Sequence, residues 1–215
     1  MILNKILLMA LLGIGIFQAE AQFKSNTSVR KSGCKKPTVT VSLKKGMPTY
    51  ESKSHSELTR LCQNENLLGC TLSEYVCSYT VDLNKKGCKQ LDFECYPEGF
   101  KVYILNDYPK GTCEYNAIKK HENLHVSAIQ NFPKESVETY LNQCIDEEVK
   151  KKKAQTGEEI YFKCSRKTDG WMNRIKDEKN REIDRYKKYD PLYFSDCKNW
   201  KMHDWEIESH LDMKD

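Results

Sequence analysis

Residues 121–125 read His-Glu-Asn-Leu-His, the pattern H-E-x-x-H. On a helix, side chains four apart share a face, so the imidazoles of His121 and His125 can reach one metal ion. Zinc takes imidazole nitrogen at about 2.0–2.1 Å and, where it does chemistry, keeps a position open for water. Glu122 follows His121 directly. It is close enough to take a proton from such a water and badly placed to be a ligand beside its neighbour. These types and this spacing suit metal-assisted hydrolysis, with His121 and His125 as ligands and Glu122 as general base. The competing reading is an ordinary helix with two surface histidines, and the surroundings weigh between them.

The motif needs a helix to hold it, and the pattern supplies one. Tyr115, Ile118, Leu124, Ala128, Ile129 and Phe132 recur at helical spacing, with Thr112 as N-cap and Pro133 as stop. Upstream, PTVTVSL (37–43), YVCSYTVDL (75–83), KQLDFECY (89–96) and FKVYILNDY (100–108) read as strands. The last two are expected to meet in a tight turn at Pro97-Glu98-Gly99. SHSELTRLCQ (54–63) reads as a short helix. Downstream come a helix over about 134–150, a polar loop AQTGEE (154–159) and a helix over about 168–188. Strands first and helices after predict an α+β fold. The expected architecture is a short antiparallel or mixed sheet in the N-terminal half, packed on a helical C-terminal half that carries the HExxH helix. FKVYILNDY, just before that helix, is the expected substrate-aligning edge.

The N-terminus places this machinery outside the cytoplasm. Lys5 precedes an apolar run from Ile6 to Phe17, and Ala19-Glu20-Ala21 is a small-x-small cleavage site. Residues 1–21 therefore read as a signal peptide, followed by a polar arm over 22–36 and one domain over 37–215. The apolar run is too short to span a bilayer, and no later segment is apolar enough. The expectation is a soluble monomer, secreted or periplasmic, with no membrane insertion after cleavage. The ten cysteines are even in number and include no C-x-x-C pair. In an exported chain they predict a disulfide framework that staples the β half to the helices. A net charge of +4 with both signs interspersed gives no case for nucleic acid, and Lys150–Lys153 reads as a solvated helix end.

The stretch around the motif resembles the active-site helix of the zincin metallopeptidases. More closely, YPKGTCEYNAIKKHENLHV (108–126), followed by NREIDRYKKY (180–189), resembles a poorly characterised group of bacterial exported proteins predicted to be zinc-dependent peptidases. The resemblance implies a zincin-like metallopeptidase domain, a bound Zn2+ and hydrolysis of a peptide or protein, and it points to no known substrate.

The third ligand is less plain. The metzincin continuation H-E-x-x-H-x-x-G-x-x-H is absent, since Ala128 and Asn131 stand where its Gly and last His would. A later helix must supply a carboxylate, as in gluzincin-type sites, and Asp177, Glu178, Glu182 and Asp184 lie on one. By resemblance, the Asn180-x-x-x-Asp184 pair favours Asp184, which is taken as the third ligand. By periodicity, Trp171, Ile175, Glu182, Tyr186 and Tyr189 share a face, and Asp184 lies almost opposite Ile175, which favours Glu182. Tyr186 or Tyr189 is a candidate donor to a reacting oxyanion. His203 and His210 in the tail are rival ligands.

Three functions stay open. The first is an exported zinc-dependent peptidase, and the second a metal-dependent amidase acting on cell-wall peptides. The third, of another class, is a non-catalytic, disulfide-rich secreted binding or inhibitory protein whose metal site is structural or vestigial. An intact Glu122 speaks for an enzyme, because a structural site needs no base there.

Overall fold

In chain order the elements are β1 (Thr38–Leu43), β2 (Thr49–Lys53), α1 (His55–Cys62), β3 (Gly69–Leu83), β4 (Lys89–Leu105), α2 (Cys113–Gln130), α3 (Lys134–Lys150), α4 (Gly157–Arg185), a 3₁₀ turn (Lys187–Tyr189) and α5 (Pro191–Phe194). This is an α+β arrangement, as expected. The computed structural model describes residues 37–65, 67–83, 89–151, 156–194, 197, 198 and 200. The expected signal peptide and polar arm, Cys34, Cys88, His203 and His210 lie outside the described residues.

The sheet is built on β4. Along one edge β3 pairs with it antiparallel; along the other, β1 runs parallel beside residues 90–95 and β2 parallel beside residues 101–105. The sheet is mixed, and its two main strands are long, at 15 and 17 residues, rather than short. The turn expected at Pro97-Glu98-Gly99 is instead a bulge inside β4. The register with β3 shifts between Leu72 and Glu74, and Gly99 takes φ +61°. Before the bulge the buried residues are Leu91, Phe93, Cys95 and Pro97; after it, Phe100, Val102 and Ile104 continue that alternation, and Tyr103 and Leu105 are buried on the other face. One extra residue switches the odd–even alternation, so both halves keep their apolar side on one face.

Pro97 fits mid-strand for a specific reason. Lys44 N donates to Cys95 O at 2.9 Å, so the main chain of odd-numbered residues here faces the β1/β2 edge. Residue 97 falls in the gap between the two parallel partners, where no N–H is needed. The substrate-aligning edge expected on residues 100–108 is therefore corrected: over 101–105, β4 is a central strand paired on both sides. β2, TYESK, is too polar to show apolar alternation, and its pairing with β4 makes it a strand.

α2 starts where Thr112 accepts a hydrogen bond from Tyr115 N at 3.2 Å and buries Tyr115, Ile118, Glu122, His125, Val126 and Ile129. α4 starts well before the expected position 168, because the polar loop hides a capping box. Thr156 Oγ1 accepts from Glu159 N at 3.3 Å, and the Glu159 carboxylate accepts from Thr156 N at 2.7 Å.

α4 then runs along the outer edge of β3 and takes the place of a further strand. Asn173 accepts from Tyr75 N at 2.8 Å and donates to Tyr75 O at 3.1 Å. Asp169 accepts from Cys77 N at 2.7 Å, Ser165 donates to Cys77 O at 2.6 Å, and Lys176 donates to Ser73 O. Over residues 73–77, main-chain groups on a strand edge that would otherwise lack partners are met by side chains of α4.

These contacts join the two halves of the molecule, a task expected of the disulfides. The bridges Cys62–Cys70 and Cys77–Cys95 lie within the sheet half, and Cys113–Cys197 and Cys144–Cys164 within the helical half. No bridge among the described residues crosses between the halves. Four bridges among the described residues point to an extracellular or otherwise oxidising compartment. No described helix is long and apolar enough to cross a membrane.

Candidate metal centre

α2 presents His121 and His125 one turn apart, and α4 brings Asp184 across to them. The Nε2 atoms of the two imidazoles lie 3.1 Å apart. Oδ1 of Asp184 stands 3.1 Å from His125 Nε2 and 3.5 Å from His121 Nε2. Ligands held about 2.0–2.2 Å from a tetrahedral ion are separated from one another by roughly 3.3–3.6 Å. Three donor atoms thus already have the mutual spacing of a metal's first shell.

The far side of each ring is pinned. His121 Nδ1 donates to the carbonyl oxygen of Tyr189 at 2.8 Å, and His125 Nδ1 donates to Oδ1 of Asn180 at 3.1 Å. A carbonyl oxygen can only accept, so the proton belongs on Nδ1 and the Nε2 lone pair turns inward. Asn180 sits one turn before Asp184 on α4, so a single helix face supplies both a carboxylate and the clamp on His125.

Glu122 lies on the sheet side, 2 % exposed. Its Oε2 accepts from Thr71 Oγ1 at 2.8 Å. A Cβ built on Gly69 would stand 2.9 Å from its Oε1, so only glycine lets β3 approach so closely. Ligand atoms of His121, Glu122 and His125 all fall within 4.8 Å of one another, so Glu122 is itself within reach of an ion held by the histidines. Two donor triads thus share the two imidazoles, one closed by Asp184 and one by Glu122. Asp184, whose side chain is 56 % exposed, leaves the centre open to solvent on the α4 side.

The field at this point favours a cation. Burial works against charge on His121, yet the hydrogen bond to Asp184, the charge of Glu122 and the Tyr189 carbonyl raise its pKa to about 9. His125 moves up in the same way, against burial, through Asp184 and Glu122. Burial pushes Asp184 up, but its bonds to His121 and His125 outweigh this and hold it at about 2. Glu122 is raised, chiefly by burial, with the imidazoles and Thr71 pulling the other way. A divalent metal ion would satisfy the same field that these protons satisfy.

Comparison of the chain with protein-family models, with curated proteins and with solved structures finds no match. What the chain does rests on its own residues.

Of the residues singled out from sequence, the structure brings His121, Glu122, His125 and Asp184 together. Glu182 lines an adjoining groove with Trp171 and Ile175, and it is Asp184 that pairs with the imidazoles. Tyr189 meets the centre through its main-chain carbonyl rather than its phenol, and its ring lies 6.4 Å from that of Tyr186. Thr71 and Gly69 carry no signal in the sequence, because their role comes from β3 passing under α2. Asn180 is legible only from its place one helical turn from Asp184.

Proposed function

We propose that this protein is an exported zinc-dependent peptidase in which His121, His125 and Asp184 hold the metal and Glu122 is the general base. The observation that carries the reading is the convergence of the two Nε2 atoms and Asp184 Oδ1 within 3.1–3.5 Å, with a buried carboxylate beside them. Two imidazoles and a carboxylate oxygen are a donor set that suits zinc. Bound there, zinc would supply a Lewis acid that polarises a carbonyl and makes water acidic enough to lose a proton near neutral pH.

The chain's own residues do the rest. The Tyr189 carbonyl and Asn180 keep both imidazoles in the tautomer whose lone pair faces inward. Glu122, raised by burial, takes the proton from the attacking water and returns it to the departing amine. Thr71 keeps that carboxylate from turning away, and Gly69 gives it room. The open side at Asp184 admits an extended chain, where a structural site would be closed.

The alternative is a structural site, in a binding or inhibitory protein, closed by Glu122 as a fourth ligand. The proximity of Glu122 to both imidazoles is what favours it. One variant separates the two. Under the peptidase reading, Glu122→Gln keeps stoichiometric zinc and loses cleavage of a peptide library by about 10² to 10⁴ in rate. Loss of zinc in that variant, or absence of cleavage by the parent protein loaded with zinc, sinks the reading.

A further inference from the structure

The stripe of α2 that carries His121 and His125 does not end at the metal centre. Ala128 continues it at the next turn, Phe132 follows two residues past the end of α2, and both line a groove of about 560 Å³ between this end of α2 and α4. Trp171, Ile175 and Ile183 line it from α4, Ile183 being the neighbour of Asp184. Tyr189, whose carbonyl clamps His121, lines it as well. The groove therefore opens off the centre, and a chain lying across the metal would have a side chain within reach of it. We propose that this groove receives a large apolar side chain of the peptide substrate, an aromatic one by preference. The proposal rests on the peptidase reading above and names the residue that reading would select.

Three features argue for that occupant. The volume lies in the range of small-molecule sites, about 300–1,000 Å³, and is ample for one ring. Its aromatic lining is held in place: Phe132 meets Trp171 edge-on at 5.6 Å, and Tyr140 stacks on Trp171 at 4.7 Å. A ring entering here meets preset aromatic edges and faces. The charged side chains that line it, Lys179 and Glu182, are opposite in sign, so a charged side chain gains no net attraction. Ala128 is the smallest lining residue and stands one turn from His125, so it is where the groove can be closed by substitution.

The test uses the full zinc-loaded protein carrying 5-fluorotryptophan, with the Trp171 resonance identified from Trp171→Phe. Titration with N-acetyl-phenylalanine amide shifts the Trp171 resonance, whereas N-acetyl-alanine amide does not. Ala128→Phe abolishes the shift while zinc content stays stoichiometric. In a peptide library the parent prefers an aromatic residue next to the scissile bond, and Ala128→Phe cuts that preference about tenfold or more, the scale of apolar-pocket discrimination. The proposal is overturned if Trp171 is silent to the phenylalanine probe, a result that needs no variant to fold. It is equally overturned if Ala128→Phe binds zinc and keeps the parent's preference. If the probe binds but no peptide is cleaved, the peptidase reading fails and the groove stands as a site for apolar side chains. If peptides are cleaved with no aromatic preference and Trp171 is silent, the groove falls and the peptidase reading stands.

Discussion

Thr71 on β3 donates its hydroxyl hydrogen to Oε2 of Glu122 on α2 at 2.8 Å. The bond couples the sheet to the one carboxylate in the centre that is buried rather than open to solvent. It also pulls the Glu122 pKa down against the burial that raises it. Thr71→Val keeps the shape and removes the donor. Glu122 then rises further, and under the proposed peptidase reading the acid limb of the kcat/KM profile moves to higher pH. At the optimum the rate falls about tenfold, well short of the loss expected on removing the base itself. Zinc content measured alongside stays at the parent level. A profile that does not move would separate Thr71 from the chemistry.

Gly69 and Gly170 form a matched pair of tests. A Cβ at Gly69 would lie 2.9 Å from Glu122 Oε1 and 2.9 Å from the main-chain oxygen of Tyr103, which cannot step aside. Gly69→Ala is expected to cost about 1–3 kcal/mol. At roughly 2–4 °C per kcal/mol for a domain of this size, thermal unfolding moves down visibly. Gly170 lies inside α4 with nothing within 4 Å of a built Cβ. There alanine removes the entropy cost of glycine in a helix, and stability rises by about 0.5–1 kcal/mol.

Asn180 accepts from His125 Nδ1 at 3.1 Å, and its value to the centre is orientation rather than charge. Asn180→Ala is expected to weaken zinc binding about 10- to 100-fold, the usual range for a partner that positions a ligand. Asn180→Asp restores an acceptor and should recover most of the loss. His125→Ala removes a proposed ligand and should cost far more than Asn180→Ala. Competition with a chromogenic chelator at fixed pH ranks the three.

Glu148 closes the joint between α3 and α4. Its carboxylate meets the ammonium groups of Lys151, Lys163 and Lys167 at 2.8, 2.6 and 2.8 Å. Those bonds, Lys151 first, hold its pKa far below the usual carboxylate range. A folded-state pKa below the unfolded one gives stability that is present above the unfolded value, about 4.3, and lost as pH falls through and below it. The parent protein should therefore lose thermal stability as pH drops below about 5, and Glu148→Gln should flatten that part of the curve while lowering the plateau at neutral pH. Equal slopes for parent and variant would show that the lysine cluster adds nothing.

Local chemistry was enough to read much of this protein from its sequence. The α2 helix, its Thr112 cap and the one-turn spacing of His121 and His125 depend on residues close in the chain, and the structure has them where the pattern puts them. α3 and the order of strands before helices were legible for the same reason. The start of α4 was missed although its Thr156–Glu159 capping box is local; the other errors came where distant segments decide. Pro97-Glu98-Gly99 has turn composition, yet it is a bulge, because β3 pairs with β4 on both sides of it. β2 is a strand only because β4 offers it an edge. Some disulfides were expected to join sheet to helices, but none of the described ones does, and side chains of α4 make the join at residues 73–77 of β3.

The choice between Asp184 and Glu182 shows the boundary most clearly. Periodicity correctly placed Glu182 with Trp171 and Ile175 on one side of α4, and that side faces a groove. It could not show that the imidazoles meet the neighbouring polar face, where Asn180 and Asp184 lie one turn apart. A helix repeat orders side chains around its own axis, whereas the angle at which α4 crosses α2 is set by how both pack against β3. Sequence alone therefore determined which residues share a face, and only the packing of α4 on the sheet edge decided which face meets His121 and His125.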